Sequence, residues 1–427
     1  MAEFVAAAEV RLWGRQVGAV AEDSYGAIAF EYSDDFRTSG LEISPRHLPL
    51  SRRGPISFPG LQRVDAFQGL PGVLADALPD RFGNEVIKAW FAGQGKPRAA
   101  LSPVQRLLYI GRRAMGALEF EPAIALPRTA SIDEALELAS LVEAARRVIS
   151  GRIDVAVPEI MQLGASAGGA RPKAVIRWNP GSNEVRSAFA PAQPGDESWI
   201  IKFDGVGELD APDPKSRPFN RIEYAYNQMA TAAGIHTATA HLLEERRLAH
   251  FMTRRFDLVD GQRLHLHSLG GIDHADFNTP GAYSYEQYFR VILELGLPPA
   301  AIDEGFRRMC FNIAAVNQDD DVKNFAFLMS PEGKWSLAPA YDLTFASGAG
   351  FTRHHQLTLA GKRDDFTRAD LLEVGDVFGL RSRGAPVLDE VLDAVADWPT
   401  HARAAKVPTD RINAISAAHR IPALQHQ

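Results

Sequence analysis

The apolar residues of this chain change their spacing near Tyr285, and that change restricts the fold more than any single motif does. Before it, short apolar runs over residues 10–13, 17–20 and 27–32, with a turn over residues 14–16, predict a small antiparallel sheet. After it, Tyr288, Phe289, Ile292 and Leu293, then Phe306, Met309, Ile313 and Val316, recur at helical spacing, and Leu388, Val391, Leu392 and Val395 form another such face. Strands followed by helices predict an α+β protein of two lobes, a mixed β-rich N-terminal lobe and a mainly helical C-terminal lobe, meeting around a cleft.

Between these halves, glycines and Pro79 punctuate residues 58–91, with a break at 79–83 and a helix over 84–91. Ser131 and Glu134 have capping-box spacing, so 131–149 is expected to be a packed helix. Residues 158–260 are strand-rich, at 174–178, 198–203 and 249–253, interrupted by a helix over 220–233 that Gly234 ends.

With 427 residues, 46% of them hydrophobic and 23% charged, the chain has the composition of an ordered protein of two or three domains. The net charge of -7, with Lys and Arg dispersed among Asp and Glu, gives no support for general nucleic-acid binding. Cys310 is the sole cysteine, which excludes an internal disulfide, and its setting between Met309 and Phe311 predicts a buried thiol. No apolar run approaches the ~20 residues that span a bilayer, and the amino terminus has no basic patch before an apolar core, so a cytoplasmic protein without a membrane partner is expected.

Residues 317–324 read Asn-Gln-Asp-Asp-Asp-Val-Lys-Asn, and Asp342 follows a turn at 331–333 through which 335–337 can pair with 325–328. Asp319, expected at the carboxyl end of the preceding apolar helix, is the candidate base for an incoming hydroxyl. Asn324 and Asp342 supply an amide oxygen and a carboxylate, the donor types that hold Mg²⁺ against nucleotide phosphates, and the pattern points to phosphoryl transfer from ATP. Lys323 is a candidate to add positive charge at the transferred group, or to pair with Asp321. A bland reading makes residues 319–321 a solvated acidic cap.

Lys202, in an aromatic and β-branched strand, is a candidate ligand of the nucleotide phosphates, oriented by Glu223; the alternatives are a solvent-facing lysine and a surface glutamate. Ser166, Gly168, Gly169 and Lys173 form a segment that can bring backbone N–H groups close to phosphate, although it matches neither the P-loop nor the dinucleotide fingerprint and is open to reading as a plain turn. His241, His354 and His355 lack metal-site spacing.

Taken with residues 67–72, 77–80, 166–173, 200–202, 255–257 and 337–342, these motifs resemble the HipA family of serine/threonine kinases, the toxin halves of bacterial type II toxin–antitoxin systems. The resemblance implies a protein-kinase-like fold with an N-terminal subdomain over 1–125, a nucleotide-binding part with phosphate loop and hinge over 126–256, and a catalytic lobe over 257–427. It implies that Asp319 is the catalytic aspartate, Asn324 and Asp342 hold magnesium, Lys202 binds phosphate, and Ser166 is phosphorylated by the protein itself. Arg254 and Phe256 fall at the family's adenine-binding hinge, where Arg254 replaces a more usual glutamate, and Asp321 stands where histidine is common. Family members phosphorylate proteins, notably aminoacyl-tRNA synthetases, and pair with a HipB-like helix-turn-helix antitoxin that makes most operator DNA contacts. A small-molecule kinase and a pseudokinase subunit of a repressor complex are the alternatives.

Overall fold

Strand β1 (Phe4–Leu12) turns into β2 (Arg15–Asp23) through Trp13 and Gly14, whose φ angles of 49° and 76° give the two left-handed residues of a tight hairpin turn. In this computed structural model, which describes residues 4–79, 81–93, 101–123, 141–143, 145–146, 171–188, 191–206 and 217–425, β3 (Ile28–Tyr32) and β4 (Leu118–Glu121) complete an antiparallel sheet in the order β3-β2-β1-β4. The alternation of Val10 and Leu12, Val17 and Phe30 buries one face, as the period of two requires. A helix at Arg81–Gly93 contains the one expected over 84–91. Ser166, Gly168, Gly169 and most of residues 131–149 lie outside the described residues.

The chain divides into two units: residues 1–217, 241–267 and 330–333 form the first, and 218–240, 268–329 and 334–427 the second. Besides the sheet above, the first unit holds a five-stranded antiparallel sheet of β5 (Lys173–Asn179), β6 (Glu184–Ser187), β7 (Glu197–Lys202), β8 (Ala240–Glu245) and β9 (Leu248–Arg254), ordered β6-β5-β7-β9-β8. Ala174, Ile176, Trp178, Trp199, Ile201 and Met252 pack together on one face. Arg255, just past β9, pairs with the buried Asp257 at 2.5 Å, and that carboxylate also accepts from Gly116 N at 2.7 Å. The motif residues 255–257 therefore brace distant parts of this unit.

The second unit is mainly helical. The helix Phe219–Ala232 stops where Gly234 takes φ 79° and the N–H of Ile235 reaches back to Ala230 O, the bond that satisfies an end carbonyl. The helices Tyr285–Glu294, Pro299–Ala314, Arg368–Val377 and Gly384–Ala396 follow, with Phe289, Phe306, Phe311, Leu388 and Trp398 fully buried between them. Strands Ala326–Met329 and Trp335–Leu337 pair antiparallel, Phe327 opposite Leu337, as the sequence predicts. A β-rich unit and a helical unit give the α+β fold class expected. Cys310 is buried, which pushes its thiol far above the ordinary range. Among the described residues no helix is long and apolar enough to cross a membrane.

Candidate active site

The loop that carries the candidate base begins earlier than expected. The helix stops at Ala314, not Val316, and Val316 takes a left-handed φ of 56° that turns the chain. Asp319 therefore stands on an irregular segment beyond the helix, where Gln318 N donates to Ala346 O at 3.0 Å. Along that segment burial alternates: Gln318, Asp320 and Val322 point inward, while Asp319 and Asp321 are partly exposed. Asp319 and Asp321 thereby lie on the side of the segment away from the core, although the Asp321 carboxyl itself stays largely withdrawn from water.

Asn324 closes the loop. Its amide nitrogen donates to the backbone oxygen of Asp319 at 2.6 Å, and its own N–H donates to Asp321 O at 3.0 Å. Because the amide nitrogen is committed, Oδ1 is the atom left to act as a ligand. The phenol of Tyr341 donates to Lys323 O at 2.5 Å, fastening the segment after the hairpin to the loop, and Asp342 follows with φ 58°. A non-glycine residue in that region is strained by ~1–3 kcal/mol and persists only where its surroundings hold it.

Electrostatics record the convergence. Burial first, then the charge of Asp319 and, less strongly, that of Asp342 push the Asp321 carboxyl up to about 8, although the Lys323 N–H and ammonium pull it down. Asp321 Oδ1 accepts from the backbone N–H of Lys323 at 2.6 Å, while the Lys323 ammonium lies 4.2 Å from the centre of the Phe277 ring. The structure thus brings Asp319, Asp321, Lys323, Asn324 and Asp342 into one locale of the second unit.

Asp320 corrects the acidic-cap reading. Its side chain is fully buried, accepting from Tyr285 Oη at 2.6 Å, His355 Nδ1 at 2.8 Å and Gln356 N at 2.7 Å. Of the other histidines, His354 pairs with Asp364 at 3.0 Å and His241 stacks on Trp178. Glu223 is buried on its helix, which removes the surface-residue alternative.

In the first unit, Lys173 and Lys202 are direct cross-strand partners of β5 and β7, on the face opposite the Ala174–Ile201 packing. Lys173 is buried, and the Lys202 ammonium lies 5.7 Å from the centre of the Phe251 ring. Like charges directly opposite one another disfavour a sheet by ~0.2–1 kcal/mol, and the arrangement suits an anion. Arg254 is exposed and pairs with Glu197 at 3.4 Å, and Phe256 is partly exposed beside it.

Tyr285, Tyr341, His355, Gln356 and Phe277 escape a reading of the sequence. Tyr285 and His355 each lie 35 residues from the Asp320 they contact, so no local spacing marks them. The Asp triplet was the available signal, and inward-outward alternation along it would have singled out its middle member.

Comparison with known proteins accords with this architecture. Residues 8–121 match the HipA N-terminal domain and residues 165–399 the HipA-like C-terminal domain. No curated protein matches the sequence. The HipA of Shewanella oneidensis MR-1, solved in a toxin–antitoxin complex with HipB and operator DNA, is similar with a TM-score of 0.67 and 19% identity over 98% of this chain and 96% of that one, a likeness of fold. The Helicobacter pylori proinflammatory kinase CtkA aligns over 61% of this chain and 94% of its own, with a TM-score of 0.35 and 13% identity. The domain matches together span both units, and the chain belongs to the HipA family.

Proposed function

We propose that this protein is an ATP- and Mg²⁺-dependent serine/threonine-protein kinase of the HipA toxin type. What supports the reading is that the Asn324 amide donates to the Asp319 carbonyl at 2.6 Å and that Tyr341, next to Asp342, donates to Lys323 O. The oriented Asn324 amide oxygen and the Asp342 carboxylate are the donor types of a hard cation that takes one or two carboxylates and completes its shell with water and phosphate. Mg²⁺ and ATP, when bound, supply an activated phosphoryl group with its charge neutralised.

The chain's own residues do the rest. Asp319 accepts the proton of the incoming hydroxyl at its carboxylate, and Asn324 Oδ1 and Asp342 hold the cation. Lys202 and Lys173 hold phosphate oxygens, Lys323 leaves the Phe277 ring to meet developing charge, and Arg254 with Phe256 borders the adenine. Ser166, Gly168 and Gly169 belong to the phosphate loop, with Ser166 the site of self-phosphorylation; a phosphoryl group there adds negative charge to a segment meant to bind phosphate. A protein hydroxyl, as on an aminoacyl-tRNA synthetase, is the acceptor. A HipB-like helix-turn-helix antitoxin restrains the activity and supplies most operator contacts, in keeping with the composition of the Shewanella complex.

The test is incubation of purified protein with labelled ATP and Mg²⁺ beside Asp319→Asn and Ser166→Ala. Label on wild type, its loss in Asp319→Asn and its loss in Ser166→Ala are expected. Label that survives Asp319→Asn refutes the assigned base.

A further inference from the structure

We propose that Asp320 is a positioning residue, whose buried carboxylate sets the orientation of Asp319 and thereby the rate of phosphoryl transfer. The inference rests on the kinase reading above and adds to it a residue that never meets substrate, nucleotide or metal.

A carboxylate removed from water is costly unless its lone pairs are filled, and here they are. Oδ1 takes the Gln356 N–H at 2.7 Å, and Oδ2 takes both Tyr285 Oη at 2.6 Å and His355 Nδ1 at 2.8 Å. Donation from Nδ1 places the imidazole proton there.

The donors are themselves fixed. Tyr285 is the first residue of its helix, is fully buried, and accepts from Asn312 Nδ2 at 3.2 Å; Asn312 Oδ1 in turn accepts from Asn317 Nδ2 at 3.0 Å. The Gln356 amide nitrogen donates to Gln318 O at 2.9 Å and to His354 O at 2.9 Å. Residues 317, 318 and 320 are thus held from two helices and from the 354–356 segment. Asp319 is bracketed by these and by the Asn324 amide on its carbonyl.

Burial alternates along residues 318–322, so a segment on this path turns one side chain inward as it turns its neighbours outward. Anchoring Asp320 inward therefore fixes the outward presentation of Asp319 and Asp321. Weakening that anchor lets the loop rotate, and misplacing a reacting group by about 1 Å costs on the order of 10²-fold in rate while leaving binding contacts elsewhere intact.

The experiment compares wild type, Asp320→Asn, Tyr285→Phe, the double variant and Asp319→Asn. It reads self-phosphorylation rate against ATP concentration, thermal midpoint, and hydrogen–deuterium exchange of amides 318–324. Asp320→Asn must turn its amide NH₂ towards at least one of the three donors; the expected fall in saturating rate is ~100-fold, with the half-saturating ATP concentration within ~3-fold of wild type. Tyr285→Phe, which removes one hydroxyl and is the milder variant, is expected to lower the rate ~10-fold by the same logic, and the double variant no further than Asp320→Asn, because Tyr285 acts through the Asp320 carboxylate. Amides 318–324 are expected to exchange faster in each. Wild-type rates with wild-type exchange in a folded Asp320→Asn protein overturn the positioning role and leave the kinase reading standing. So does a rate loss matched by an equal rise in half-saturating ATP, or one that multiplies in the double variant. Label that persists in Asp319→Asn, or a wild type that takes up none, overturns the kinase reading and the positioning role with it, whatever the exchange data show.

Discussion

Replacing Asp321 by Asn should stabilise the protein, and the gain should grow with pH. Asn is isosteric and keeps an Oδ1 to accept the Lys323 N–H, so what changes is one negative charge beside Asp319 and Asp342. The carboxyl is raised from 3.8 to about 8, by burial first and then by those neighbours. A group that holds its proton more tightly when folded costs nothing below its unfolded pKa, and its penalty accumulates as pH rises towards the folded value. Roughly four units at ~1.4 kcal/mol each give an upper bound of ~6 kcal/mol. Movement of the Lys323 ammonium and entry of water reduce this to ~3 kcal/mol by the screening expected near a surface. For a unit of this size that is ~6–12 °C in Tm. Thermal melts of both proteins from pH 5 to pH 8.5 should show a gap that is already about a quarter of its full size at pH 5 and widens towards the alkaline end. Adding Mg²⁺ at pH 8 should raise the wild-type Tm more than the variant's, because a cation relieves the repulsion that Asn has already removed. A gap in Tm that is constant across this range would mean that Asp321 does not share the charge of its neighbours, and the convergence of Asp319 and Asp342 on one locale would lose its main support.

Other perturbations address separate parts of the molecule. Asn324→Ala or Asp342→Asn should each reduce label transfer from ATP at least ~100-fold without lowering Tm by more than a few degrees, since removing transition-state electrostatic stabilisation costs rates of this order; near-wild-type transfer would exclude them as cation ligands. Lys202→Met and Lys173→Met should raise the half-saturating ATP concentration ~10-fold or more, as loss of a charge-assisted bond predicts, and an unchanged value would leave the lysine pair a sheet feature only. His419, buried with Nε2 3.0 Å from Tyr226 Oη, is lowered from 6.5 to about 4 by burial, so stability present above pH 6.5 is lost as pH falls towards 4. His419→Gln should flatten that acid limb by up to ~3 kcal/mol in urea midpoints, and an unaltered limb would contradict the neutral buried ring. Asp257→Ala strands the Arg255 guanidinium and the Gly116 N–H, which should cost ~3–5 kcal/mol in the same assay, whereas a loss below 1 kcal/mol would show that the pair is solvated.

Local order was legible wherever a period or a turn residue decided it. The strands at residues 10–13 and 174–178, the hairpin over 326–337 and the helix ended by Gly234 each follow from neighbours within about ten positions. The end of the Pro299–Ala314 helix was not, because the apolar period continues through Val316 while tertiary contacts, Asn317 N to Asn312 O and Gln318 N to Ala346 O, draw the chain out of the helix. The same difference separates the site residues. Asp319, Asn324 and Asp342 carry functional groups whose chemistry suggests a role at short spacing. Tyr285, His355 and Gln356 contribute an ordinary hydroxyl, ring and backbone N–H, and only the three-dimensional path that brings them to Asp320 gives them meaning.

Each unit also gathers like charges at a cost. The first aligns Lys173 with Lys202 across two strands when a one-residue change of register would have separated them. The second gathers Asp319, Asp321 and Asp342, where burial first and then the neighbouring carboxylates push the Asp321 carboxyl up to about 8. A protein selected for stability alone would replace either set with neutral residues, since local conflicts of this kind concentrate where a fold serves a ligand. On the kinase reading proposed above, the lysines are assigned to phosphate and the carboxylates to magnesium. The prediction that follows is one of linkage: Mg²⁺ with ATP should stabilise the wild type more than the sum of Mg²⁺ alone and a metal-free nucleotide in chelator. Additive shifts in Tm would count against the proposed use of Mg²⁺ with ATP.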